Sequence, residues 1–101
     1  MSQPSYLRLL PWKGPEGQPA LLATDGTATP LSLLADQIER QQMASAAVIV
    51  GWARPMVGKD SKLTADELRW VASRLVESLT DVLNIAESRE QRLPGYEECG
   101  E

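Results

Sequence analysis

Apolar residues return every three or four positions between Leu68 and Ala86: Leu68, Val71, Ala72, Leu75, Val76, Leu79, Val82, Leu83 and Ala86. At about 100° per residue they form one broad stripe, which is the pattern of an amphipathic helix. Arg74, Glu77, Asp81, Asn84 and Ser88 fall on the other side. Thr64 precedes the run and Glu67 follows three residues later, the spacing of a capping box. Asp66 and Glu67 in the first turn, and Arg89 and Arg92 near the far end, suit the helix dipole. Pro94-Gly95 then stops the run. The pattern predicts a helix over residues 64–92 with its stripe in the core. Trp70 does not fit, because it projects from the polar side beside Arg74 and Glu77. Cover by another segment, cover by a partner, or plain exposure would each account for it.

A second helix is predicted over residues 30–53. Thr29-Pro30 supplies a capping hydroxyl followed by proline at the first helical position. In the first half, Leu31, Leu34, Ala35 and Ile38 face one way, while Asp36, Glu39 and Arg40 face elsewhere. The second half changes character. Met43, Ala44, Ala46, Ala47, Val48, Ile49, Val50, Gly51 and Trp52 leave no polar side, and a helix apolar all round is expected to be buried all round. The β-branched Val48-Ile49-Val50 would also suit a buried strand, but the preceding alanines and the lack of a turn signal favour helix.

Ahead of the helices lie two short apolar runs, Tyr6 to Leu10 and Ala20 to Thr24. Pro11 to Pro19 holds three prolines and two glycines and reads as a connection. Asp25-Gly26 is a turn signal. The expectation is a long-looped β-hairpin over about residues 5–25. A lone hairpin is marginal in water, so it should lie against the helices, with Tyr6 and Trp12 as contacts that could extend over Trp70. Met1 to Ser5 reads as a loose end, and Gly95 to Glu101 as a disordered tail. The fold class is therefore α+β and mostly helical, a single domain over residues 1–101: an N-terminal β-hairpin followed by a long antiparallel helical hairpin.

Two helices and a hairpin cannot surround a segment that is apolar on every side. The long helix covers one face of residues 43–53 and the hairpin a second. A third, built on the small residues Ala44, Ala47 and Gly51 with Val48 and Trp52 beside them, permits close backbone approach. In a two-fold dimer that face would meet its own copy and give a four-helix core. A monomer with the hairpin wrapped further round is the alternative.

Composition narrows the chemistry. The 101 residues make one domain, and 43% are apolar. The net charge of −4 opposes general affinity for nucleic acid or anionic membrane. Ser2 to Leu10 is too short and polar for a secretory signal, and Met43 to Ala53 is about half of the roughly 20 residues a membrane span needs. Both point to the cytoplasm. There is no histidine and one cysteine. That removes the commonest general base, a Ser-His-Asp or Cys-His nucleophile, and a thiolate or imidazole zinc site. Cys99 lies among Glu97, Glu98 and Glu101, which disfavour a thiolate. Lys13, Gly14 and Gly17 lack the ending of a phosphate loop. Glu77 and Asp81, one turn apart, read as solvated charges. No enzymatic activity and no cofactor are expected.

Tyr6-Leu7-Arg8-Leu9-Leu10-Pro11-Trp12, Gly14, Gly17, Leu34-Ala35-Asp36 with Glu39 and Gln42, Glu67-Leu68-Arg69 and Ala86-Glu87-Ser88-Arg89 together resemble a family of small uncharacterised proteins from filamentous actinobacteria. The resemblance covers most of residues 5–93 and implies a cytoplasmic bacterial protein, without an activity. The expected function is a protein-interaction module, a regulator or adaptor acting as a homodimer, with Tyr6, Trp12 and Trp70 as its partner-binding residues. Two alternatives stay open. Dimerisation could bring together two Arg54/Lys59/Lys62 loops on DNA, or a pocket near Trp52 could sense a small ligand.

Overall fold

The computed structural model describes residues 6–91. Two strands, β1 (Tyr6–Lys13) and β2 (Pro19–Thr24), are followed by two 27-residue helices, α1 (Pro30–Met56) and α2 (Ala65–Gln91). The architecture is the expected hairpin of strands followed by a hairpin of helices. Expectations for the ends of the chain, including Cys99, lie outside the described residues.

The strands pair antiparallel, with Tyr6 opposite Thr24 and Leu9 opposite Leu21. The register then shifts between Leu9 and Lys13. Pro11, which has no N–H to give the ladder, falls within that irregularity, where proline is tolerated. The strand connection closes through Gly14 N–H to the Gln18 carbonyl and Gly17 N–H to the Gly14 carbonyl. Gly17 holds a φ of 82°, a conformation glycine adopts without steric penalty.

β1 enters between the helices at their open end. On one side Arg8 reaches α1, donating to the Ser32 carbonyl at 3.2 Å and to Asp36 Oδ1 at 2.6 Å, with Glu39 Oε1 at 3.4 Å. On the other, α2 side chains take carbonyls that the irregular ladder leaves over. Ser88 Oγ donates to Leu9 O at 2.8 Å and Asn84 Nδ2 to Leu10 O at 3.1 Å. Gln42 Nε2 of α1 takes Pro11 O. Buried backbone acceptors need such partners. Arg8, Leu9 and Leu10 are consequently all buried, three in a row, because a strand lying between two helices has no solvent face.

α1 is capped by Thr29, which exchanges hydrogen bonds with Ser32 in a capping box. The helix runs through Pro55 to Met56, three residues past the expected end at 53. The Val57 and Gly58 N–H groups close it on the carbonyls of Ala53 and Pro55. Residues 46–52 are helix and not strand. The capping box expected at the start of α2 is present: Thr64 N–H donates to Glu67 Oε1 and Glu67 N–H to Thr64 Oγ1. The Thr64 backbone bond, with the side-chain bond second, holds the Glu67 carboxyl below its ordinary range.

Three expectations about packing need correction. Only one edge of the α2 stripe is core: Val71 is buried and Leu75 and Val82 half-buried, whereas Leu68, Ala72, Val76, Leu79, Leu83 and Ala86 are exposed, and the other buried positions are Ile85 and the polar Ser88. Within the single chain, residues 43–53 are not buried all round. Ala46 and Ala53 are buried and Ile49 half-buried, whereas Met43, Ala44, Ala47, Val48, Val50, Gly51 and Trp52 are exposed. Glu39, placed on a solvent face, is 3% exposed against Arg8. These share a cause. The inner face of α1 is built on small residues, Ala35, Ala46 and Ala53, and the strand between the helices at their open end claims polar positions for its carbonyls and for Arg8.

Candidate interaction surfaces

Four surfaces hold most of the residues singled out by the sequence. The first lies where the end of α1 meets the start of α2. A shallow groove is lined by Ile49, Trp52, Ala53, Met56, Trp70, Val71 and Arg74, and its free volume of about 10 Å³ suffices for roughly one water. It offers no room for a small organic ligand. Trp52 is 60% exposed and Trp70 56% exposed, so the two indoles stand out on either side of it. The Arg74 guanidinium lies 5.9 Å from the Trp70 ring centroid, within cation–π range, and also pairs with Glu77. Among the described residues no other segment covers Trp70, which is 56% exposed; the hairpin lies elsewhere.

The second surface is the outer side of α1. Ala44, Ala47, Val48, Gly51 and Trp52 are all exposed. A Cβ on Gly51 would meet nothing within 4 Å. The third is the outer stripe of α2, where Ala65, Leu68, Ala72, Val76, Leu79, Leu83 and Ala86 are exposed without a polar interruption. Bordering it is the fourth, an open groove of about 320 Å³ between Pro11-Trp12-Lys13 and Thr80, Asp81, Leu83, Asn84 and Glu87.

Tyr6, Trp12 and Trp70 do not form one patch. Tyr6 and Trp12 are six residues apart along β1, roughly 20 Å at strand rise. Trp12 sits against residues 80–87 of α2, ten or more positions from Trp70 and so roughly 15 Å along the helix. Trp70 instead neighbours Trp52, a pairing that no sequence spacing advertises. Arg54, Lys59 and Lys62 are exposed around the connection between the helices.

The buried charges are the other feature the sequence did not announce. The side chains of Arg8 and Glu39 are 5% and 4% exposed, while Asp36 keeps 41% of its surface. This cluster joins β1 to α1 and lines none of the grooves described above, as a structural cluster would. Asp25 is held below its ordinary range by the side chain and then the backbone of Thr27, in an exposed turn remote from all four surfaces. Among the described residues no group of three or more acidic, cysteine or histidine side chains is arranged to hold a metal ion. Among them also, no helix is long and apolar enough to cross a membrane.

The geometry defines a β-hairpin set into the open end of an α-hairpin, with apolar outer faces on both helices. Comparison with protein-family models, with curated proteins and with solved structures gave no match.

Proposed function

We propose that this chain is a non-enzymatic protein-interaction module that works as a homodimer, a small cytoplasmic regulator or adaptor. One observation carries the reading. Among the described residues, fifteen large apolar side chains are 39% or more exposed, whereas the buried apolar set is Leu9, Leu10, Val71, Ile85 and three alanines. At ordinary residue areas the exposed set totals roughly 1,400 Å², spread over the hairpin, the connection and both helices, where about 800 Å² on one partner makes a standard interface. Leaving this surface in water forgoes the main driving force of folding and association.

Two uses follow from two faces. One helix face takes the second copy. The Trp52–Trp70–Arg74 cluster takes a different protein, since Trp and Arg are the residue types that dominate interface energetics. Static light scattering tests the homodimer. At roughly 100 µM chain, where a dimer with a Kd near 1 µM is formed, the mass should be about twice the 11.1 kDa chain mass. A monomer at that concentration would overturn the proposal.

A further inference from the structure

We infer that the second copy docks on the outer stripe of α2, antiparallel and about a two-fold axis between Val76 and Leu79; this rests on the homodimer proposed above and assigns its interface. The α2 face differs from that of α1 in continuity. Ala65, Leu68, Ala72, Val76, Leu79, Leu83 and Ala86 are every one apolar and every one exposed. They recur at steps of three and four, so on a 3.6-residue helix they fall within roughly 80° of arc and run for about 30 Å. The comparable line on α1, Leu31, Leu34, Ile38, Gln41, Ser45, Val48 and Trp52, is broken by two polar residues.

Volume and charge both select the antiparallel arrangement. With the axis between Val76 and Leu79, Val76 meets Leu79 of the copy, Ala72 meets its Leu83, and Leu68 meets its Ala86. Each small side chain then faces a large one, which is how helix surfaces interdigitate. A parallel pair would set Ala72 on Ala72 and Ala86 on Ala86, leaving gaps at both ends. Arg69 and Glu87 are exposed and lie on the same flank of the stripe. The antiparallel register places Arg69 of each copy beside Glu87 of the other, twice by symmetry. A parallel pair would set this flank against the opposite flank of the copy, around Leu75 and Val82, so Arg69 and Glu87 would not meet. The antiparallel register also brings Arg69 of the copy to Glu87, at the rim of the groove beside Trp12. A second copy thus borders that groove, and it leaves Trp52, Trp70 and the small-residue face of α1 accessible.

The test compares Leu79→Asp with Val48→Asp in the full chain, by light scattering and circular dichroism. Both residues are more than half exposed, at 58% and 52%, so neither variant should unfold the protomer. Leu79→Asp should give a folded monomer, and Val48→Asp should keep the dimer. Arg69→Glu and Glu87→Arg should each weaken association by about fivefold or more, and the double variant should restore it. Dissociation by Val48→Asp with a dimeric Leu79→Asp would overturn this inference and keep the homodimer, moving it to α1. Single charge reversals without effect, or a double variant that fails to recover, would overturn the antiparallel register. A wild-type monomer would overturn the homodimer itself.

Discussion

The side chain on which the joining of strand and helices most depends is Arg8, and replacing it with methionine tests that directly. The volume is nearly kept, so the change removes charge and hydrogen bonds more than packing. Arg8 is 4% exposed and Glu39 3% exposed. In Arg8→Met the Glu39 carboxylate would stay buried facing a thioether in place of a guanidinium. Removing one partner of a buried pair costs about 3–5 kcal/mol. Asp36 adds little to that figure because its side chain is 41% exposed and water can replace Arg8 there. Against a total stability of about 5–15 kcal/mol, the loss is large. Urea unfolding followed by circular dichroism at fixed chain concentration should show a midpoint lower by about 1 M or more, given a slope of about 1–3 kcal/mol/M. Arg8→Met combined with Glu39→Met should recover most of the loss, since well-packed apolar replacements of a buried pair are often neutral or stabilising. A single variant within about 1 kcal/mol of wild type, or a double variant as unstable as the sum of the singles, would refute the reasoning.

Two more predictions follow from backbone features. Gly51 lies inside α1 with open space where a Cβ would go, so Gly51→Ala should stabilise by about 0.5–1 kcal/mol in the same urea assay; destabilisation or dissociation would show that the small residues of α1 are in close contact with another chain. Glu67 titrates below its ordinary 4.5 because it accepts from Thr64. A lowered folded value means the contribution is complete above the unfolded value and is lost as pH falls through the folded one. Wild type should therefore lose stability on going from pH 7 to pH 3 by more than Glu67→Gln does, and equal acid losses would contradict the capping role.

Much of the fold was legible because its signals are local. Thr29-Pro30, the Thr64–Glu67 spacing and Asp25-Gly26 fix element ends through hydrogen bonds spanning two or three residues. The partnerships of the site were not legible for the opposite reason. Ser88 and Leu9 are 79 positions apart, and Arg8 and Asp36 are 28 apart. Nothing in the composition around Ser88 marks it as a donor to a strand carbonyl. Trp52 and Trp70 likewise line one groove only because the helices turn back on each other.

The errors of packing have a more instructive source. The inward line of α1 runs Ser32, Ala35, Glu39, Gln42, Ala46, Ile49, Ala53 and Met56, at alternating steps of three and four. That is a helix-core period, but three of its members are polar, so hydropathy alone reads it as a solvent face. The line one residue earlier, Leu31, Leu34, Ile38, Gln41, Ser45, Val48 and Trp52, is more apolar than the core line itself, whereas the line one residue later carries Asp36, Arg40 and Arg54. A helix with an outer face more hydrophobic than its inner one has its periodicity set by two requirements: the inner face must satisfy β1 and Arg8, and the outer face must meet something else. The same holds for α2, whose inner line contains Arg74 and Ser88 while its outer line is apolar throughout. Apolar periodicity states that a face will be covered and is silent about which chain covers it. Here the fold fills its inner seam with polar partners and leaves both outer stripes unspent, and that distribution points to association more strongly than any single exposed residue does.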